Sequence, residues 1–321
     1  MALSLKNLES NAMRVIDTNS KALIELSLNI LEEPETGFRE VKTSERILAW
    51  FVEKGLDYRS NIGLTGVSTR INTGRPGPNI AIIGELDGLL VPRHSKADVK
   101  TGAAHACGHH AQIGSMLGVL TGLFSDSLLG KLAGSITFMG IPAEEYIEIA
   151  YRQKLRESGK IEFFSGKQEF LRLGEFDDID IAVMTHTASE DKGMVTIGGS
   201  HSGMIGKIIS YIGIASHAGD APHNGVNALN AANIGLNAIH AIRETFRDED
   251  RIRIHPIITK GGDSVSSVPE KVTLETFVRG ANLKSIEEAE KKVDFCLRAG
   301  ALAVGAQVKI ETNGGYLPSR Y

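Results

Sequence analysis

Asn79-Ile80-Ala81-Ile82-Ile83-Gly84-Glu85-Leu86-Asp87-Gly88 is the stretch from which the architecture can be read. A turn-forming Gly74-Arg75-Pro76-Gly77-Pro78 precedes it. Ile80, Ile82 and Ile83 then give the short, β-branched, nearly continuous apolar run of a buried strand over Asn79 to Leu86. Gly134 to Ile141 and Ile179 to Thr185 read the same way. Helical patterns lie between and before them. A run begins near Ala111, and Val41 to Lys54 carries Ile47, Leu48, Phe51 and Val52 on one side until Gly55 ends it. Met1 to Leu31 spaces Leu5, Leu8, Met13, Ile16, Leu23, Leu26 and Ile30 as an amphipathic helix does, and Glu33-Pro34-Glu35-Thr36-Gly37 breaks the chain after it. Strands alternating with helices predict an open α/β sheet, whose ligand site lies beyond the carboxyl ends of its strands.

The second half has a different order. Met204 to Ala215 reads as a strand, Asn224 to Phe246 as a helix, and Arg251 to Thr259 and Lys271 to Val278 as two strands. Ser285 to Leu302 is then a helix and Ala306 to Glu311 a strand. This is the β-α-β-β-α-β order of a ferredoxin-like plait. The expected organisation is an α/β domain over 1–202, a plait over 203–312, and a return to the first domain over 313–321.

Chemistry-bearing residues gather where the α/β strands end. His105-Ala106-Cys107-Gly108-His109-His110 precedes a helix, Glu144-Glu145 follows the strand ending Ile141-Pro142-Ala143, and His186 follows the strand ending at Thr185. A thiolate, imidazoles and carboxylates from three loops are a donor set for a divalent metal, with one carboxylate free to act as a base. Each residue alone has a plainer reading. Cys107 suits a small buried hydrophobe, His109 a helix cap, His186 a hydrogen-bonded structural residue, and the two glutamates a solvated pair. Together the residues favour metal. The first helical turn after His109 is expected to lower the Cys107 thiol pKa. Adjacent side chains at a strand end diverge, so one glutamate can bind metal while its neighbour faces water. Asp87 is either the carboxylate that orients a ligand histidine or an ordinary turn residue before Gly88.

With 321 residues, 42% of them hydrophobic, the chain is long enough for two cores. Its net charge of -4 and its lack of an arginine-rich stripe argue against nucleic acid as a partner. The opening helix interleaves Asn7, Glu9, Arg14, Asp17 and Lys21 with its apolar residues, so neither a signal-peptide core nor a membrane span is expected. Only Cys107 and Cys296 are cysteines, which fits a reducing cytoplasm better than a disulfide framework.

Glu85-Leu86-Asp87-Gly88-Leu89, His105-Ala106-Cys107-Gly108-His109 and Pro142-Ala143-Glu144-Glu145 are followed by Ser216-His217-Ala218 before Pro222, Gly261-Gly262 before Val268-Pro269, and Arg279. In that order these motifs resemble the M20 metallopeptidase and amidohydrolase family, most of all its amidohydrolase branch of aminoacylases, aminobenzoyl-glutamate hydrolases and auxin-conjugate hydrolases. The resemblance implies a metallopeptidase-type catalytic domain with a lid that dimerises the protein, and a reaction in which the amide bond of an N-acyl amino acid, short peptide or related carboxylate-bearing conjugate is hydrolysed. It further implies that Cys107, His109, Glu145 and His186 hold two divalent ions, with zinc favoured over manganese or cobalt. By the same resemblance Glu144 is the general base, Asp87 the orienting carboxylate, His217 the oxyanion donor, and Arg279 the grip on a substrate carboxylate. The chain departs from the family at His110, where Asp or Asn is usual, at Ser266, where Asn is usual, and in a charged stretch from Tyr146 to Phe164 that reads as an insertion, either reshaping one wall of the cleft or, more plainly, forming a solvated helix. The family also supplies a further metal-binding histidine near its C-terminus, whereas this chain stops at Tyr321. A truncated enzyme is therefore expected, and the alternative is a non-catalytic binding or assembly protein that keeps the fold without a complete metal centre.

Overall fold

In the computed structural model, which describes residues 5–125, 128–188, 195 and 197–320, contacts divide the chain into two units, Met1–Asp191 and Lys192–Tyr321. The first unit opens with helices α1 (Leu5–Glu32) and α2 (Val41–Glu53), a hairpin of β1 (Tyr58–Ile62) and β2 (Gly66–Asn72), and β3 (Asn79–Glu85). A two-residue ribbon of β4 (Leu89–Leu90) and β5 (Ala103–Ala104) leads to α3 (His109–Leu123), β6 (Ser135–Ile141), α4 (Ile149–Glu157), α5 (Gly166–Arg172) and β7 (Ile181–Met184). The sheet runs β1-β2-β6-β3-β7. β3 pairs parallel with both β6 and β7, so three carboxyl ends emerge at one edge. The β1-β2 hairpin joins antiparallel and makes the sheet mixed.

Apolar stripes fix the layers. Leu23 and Ile30 of α1, Ile47 and Phe51 of α2, and Ile113, Leu117 and Leu120 of α3 close over Phe138 of β6. Fully burying a side chain of this size contributes about 1.5–3 kcal/mol. Ala81, Ile83, Met139, Ile141 and Phe170 form a smaller cluster. β7 departs from the expectation of a buried strand. Its Ile181, Val183 and Met184 are 42–50% exposed, because β7 lies at the sheet edge and, among the described residues, pairs only with β3.

The second unit contains β8 (Ser200–His201), β9 (Gly203–Ile212), α6 (Ala228–Ile242), β10 (Arg253–Ile254), β11 (Ile257–Lys260), β12 (Lys271–Gly280), α7 (Leu283–Val304), β13 (Gln307–Tyr316) and β14 (Ser319–Arg320). Its antiparallel sheet runs β10-β12-β9-β13, with β11 also on β12. The single strand expected over Arg251 to Thr259 is two, since Pro256 between them has no N–H to give a ladder. Ala231, Ala232 and Ile239 of α6 and Val293, Leu297 and Ala301 of α7 pack with Ile209, Tyr211, Val272, Leu274 and Val278. Asn227 caps α6 by accepting from the amides of Leu229 and Asn230, which starts that helix later than its apolar pattern suggests. Residues 313–316 continue β13 beside β9, and Ser319–Arg320 pairs with Ser200–His201. Contacts group 197–202 and 313–320 with the second unit, where the sequence reading puts the boundary at 202/203 and returns 313–321 to the first domain. No described helix is long and apolar enough to cross a membrane.

Candidate metal centre

The parallel set β3, β6 and β7 delivers Glu85 and Asp87, the Pro142–Glu145 turn, and His186 to one edge of the first unit. α3 begins at His109 directly after Gly108, whose φ is +84°. A Cβ at that glycine would lie 2.2 Å from Thr187 Oγ1, so only glycine admits the approach. Thr187 Oγ1 in turn donates to the Cys107 carbonyl at 2.9 Å, tying the cysteine loop to the end of β7.

Buried His109 is the centre of the arrangement. Its Nδ1 lies 2.7 Å from the backbone oxygen of Asp87. A carbonyl only accepts, so Nδ1 carries the hydrogen and Nε2 is turned toward carboxylates. Glu85 Oε2 is 3.1 Å from it, Glu144 Oε2 3.9 Å and Glu145 Oε1 4.0 Å. His186 repeats the device, with Nδ1 2.7 Å from the Thr187 carbonyl and Nε2 3.3 Å from Cys107 Sγ. Metal-binding histidines are oriented in this manner, one nitrogen fixed and the other presented. Among the described residues, Cys107, His109 and His186 offer ligand atoms within 4.8 Å of one another, and so do Glu85, His109 and Glu144. Glu145 belongs to neither triplet, although it approaches His109.

A neutral Nε2 lone pair aimed at three carboxylates is repulsive unless a cation or proton stands between them. Burial opposes charge on His109, yet its bonds to Asp87, Cys107 and Glu85 outweigh burial and hold its pKa far above the usual imidazole range. Burial and the charge of Glu85 push Glu144 up to about 7. Burial and Asp87 also raise Glu145. The Glu85 carboxyl is driven up by burial but down further by His109 and by Lys167, which pairs with it, and settles at about 2. For Cys107, the His109 bond pulls the thiol down, but burial and the Glu145 charge outweigh it and the net shift is upward. The expected lowering by the first turn of α3 is thus overridden. His109 Nε2 and Glu145 Oε1 are both buried and stand 4.0 Å apart. Soft and borderline donors beside carboxylates, with positive charge in demand, fit a divalent cation.

Asp87 is fully buried, and its two functions are split. Its backbone oxygen orients His109, while its carboxylate accepts the Glu145 amide at 2.9 Å and stands 3.5 Å from His109 Nδ1. Sequence reasoning passed over Glu85, Gln112 and Lys167. Gln112 accepts from the Glu85 amide at 2.6 Å and donates to the Thr185 carbonyl at 2.6 Å, bridging the ends of β3 and β7. The period of two that places Glu85 and Asp87 on one side was the available signal. The inserted stretch after Tyr146 is also not a solvated helix, because α4 buries Ile149, Arg152 and Leu155.

The other two sequence candidates lie in the second unit. His217 is exposed, and its Nδ1 accepts from the amides of Gly219 and Asp220 at 3.2 and 3.0 Å. Its neutral ring therefore carries the hydrogen on Nε2 as a donor. Arg279, near the end of β12, donates to Tyr316 Oη at 2.7 Å and lies 5.2 Å from the Phe277 ring centroid.

Residues 199–304 match the family described as Peptidase dimerisation domain. The chain is 26% identical to the Xaa-Arg dipeptidase of Mus musculus, in an alignment covering 97% of this chain and 67% of that protein. It is 26% identical to the indole-3-acetyl-aspartic acid hydrolase of Enterobacter agglomerans, over 78% of this chain and 56% of that one. A crystallised dinuclear metal-binding peptidase of the M20 family from Bacillus subtilis shares the fold, with a TM-score of 0.62 at 20% identity over 95% of this chain and 76% of the other. The chain spans between half and about two thirds of the length of these two curated relatives (56% and 67%).

Proposed function

We infer that this chain, a member of the M20 metallopeptidase and amidohydrolase family, acts as a metal-dependent amidohydrolase on the amide bond of an N-acyl amino acid, short peptide or related conjugate bearing a free carboxylate. The observation that carries the reading is the set of Nε2, thiol and carboxylate atoms around His109, oriented by backbone carbonyls and asking for positive charge. Cys107, His109, Glu145 and His186 are the proposed holders of two divalent ions, with zinc preferred by the thiolate and imidazoles and manganese or cobalt next. Such ions, when bound, polarise the scissile carbonyl and make water more acidic. Glu144, raised to about 7 by burial and Glu85, has the affinity to take the proton of the attacking water and to hand it to the leaving amine. His217, with its donor on Nε2, is proposed to steady the oxyanion, and Arg279 to bind the substrate carboxylate through its planar fork. The names of the dipeptidase and of the indole-3-acetyl-aspartic acid hydrolase describe amides of amino acids, which supports this substrate class. A homodimer formed through the second unit and a reducing cytoplasmic setting complete the proposal.

The test pairs two variants. Glu144→Gln should abolish hydrolysis of N-acetyl amino acids and dipeptides while zinc content stays near that of the parent. Glu145→Gln should lose zinc. Equal zinc loss in both variants refutes the division of roles.

A further inference from the structure

Ala143, immediately before the two glutamates, sits at a φ of +51°. A residue with a β-carbon is disfavoured in this left-handed region and stays there only when its surroundings hold it. Ala143 is fully buried and gripped from two sides. Its amide donates to Glu40 Oε1 at 2.7 Å, and Thr65 Oγ1 donates to the other Glu40 oxygen at 2.5 Å. Its carbonyl faces Arg152 Nη1 at 3.4 Å, and Arg152 also donates to the carbonyls of Glu145 and Phe164. Gly37 closes the group, since a Cβ there would lie 2.5 Å from Arg152 Nη2 and 2.8 Å from Ala143 Cα. Arg152 has no exposed surface, and burial lowers its pKa against the opposing charges of Asp87 and Glu40. A guanidinium is costly to bury, and among the described residues this one bonds no carboxylate directly. Its Nη1 and Nη2 donate to three main-chain oxygens, two of them in the turn that carries Glu144 and Glu145.

We propose that Arg152 is a positioning residue which, with Glu40, clamps the Ala143–Glu145 turn in its left-handed conformation and so presents Glu144 and Glu145 beside His109. What the glutamates then do rests on the hydrolase reading, whereas the clamp concerns the backbone alone. If Arg152 served only to anchor α4, relieving the strain at Ala143 would change nothing. If it works as a clamp, a residue that adopts positive φ freely makes it dispensable.

The experiment uses the whole chain as Arg152→Met, Arg152→Lys, Ala143→Gly and the Arg152→Met/Ala143→Gly double variant. It reads amide hydrogen exchange at Ala143 and Glu145, and zinc affinity by chelator competition. Arg152→Met should speed exchange at those two amides by about tenfold or more while β6 stays protected, and should weaken zinc binding about 10- to 100-fold. Adding Ala143→Gly should recover roughly fivefold or more of both losses, the size of the left-handed penalty. Arg152→Lys should fall between parent and Met, because an ammonium cannot reach several carbonyls as a fork does. It carries the same readout if the Met variant does not fold. Unchanged exchange at both amides overturns the proposal, as does exchange rising uniformly through α4 and β6, or failure of the glycine to restore. If the parent takes up no zinc while exchange follows this pattern, the hydrolase reading falls and the clamp stands.

Discussion

Replacing Glu40 by Gln should make the protein more stable at pH 8 and leave it nearly unchanged at pH 5. Glu40 has no exposed surface, and burial, reinforced by the charge of Asp87, pushes its carboxyl up to about 7 from 4.5. A carboxyl whose folded pKa is raised binds its proton more tightly in the folded state. The stability this contributes is fully present below pH 4.5 and is lost as pH rises through about 7. At about 1.4 kcal/mol per pKa unit the whole loss is roughly 3 kcal/mol, most of it between pH 5 and 8. Gln has no such slope. Its carbonyl still accepts the Ala143 amide, but its NH2 meets Thr65 Oγ1 and displaces that hydroxyl's hydrogen, a pH-independent cost of about 1 kcal/mol. Subtracting it leaves the variant level with the parent at pH 5 and about 2 kcal/mol more stable at pH 8. Denaturant unfolding at half-unit pH steps in EDTA measures the difference without bound metal, and titrating groups remote from Glu40 cancel between the two proteins. A difference that does not change from pH 5 to 8, or a variant less stable than the parent at pH 8, refutes the argument.

Two other perturbations have definite outcomes. Lys207 Nζ is fully buried and lies 2.8 Å from Glu290, Asp294 and Thr312. Lys207→Met should lower the stability of the second unit by about 2–3 kcal/mol, less than for a fully enclosed pair because both carboxylates keep about a quarter of their exposure (24% and 26%), as the shift of its denaturant midpoint would show. Arg279→Ala should raise KM for carboxylate-bearing amides at least about tenfold and leave the matching carboxamides unaffected; an equal rise for both would remove carboxylate recognition from the reading.

The parts legible in the sequence were those that a local period expresses. The Ile80-Ile82-Ile83 run located β3, and the rule that α/β sites sit at the carboxyl ends of parallel strands then raised Cys107, His109, Glu144, Glu145 and His186 above the chain's other polar residues. The plait in the second half was legible for the same reason. Pairing across the chain was not. Glu40 reaches Ala143 over 103 positions, and nothing near Glu40 in the sequence distinguishes it from the solvated acids of α2. The exposure of β7 was equally hidden, because an apolar run reports suitability for burial and not the sheet position that provides it.

Arg152 was nevertheless within reach of sequence reasoning. Ile149, Arg152 and Leu155 recur at a spacing of three and share the buried side of α4. A charge on such a stripe has two outcomes: the helix turns it to solvent and exposes the flanking Ile149 and Leu155, or the charge goes inside with partners. Exposing two large apolar side chains costs about 3–6 kcal/mol, so the stripe favours burial wherever acceptors exist to meet the guanidinium. Its own helix has none to offer, since interior carbonyls are already engaged in i to i+4 bonds. The acceptors must be free carbonyls of irregular backbone, and the nearest such backbone is the turn Pro142–Glu145 that joins β6 to α4. A basic residue on the apolar stripe of a short helix just after a pair of strand-end carboxylates thus points back to the turn that carries them. The charges of α4 that do face water, Lys154 and Glu157, interrupt no such stripe and carry no such implication.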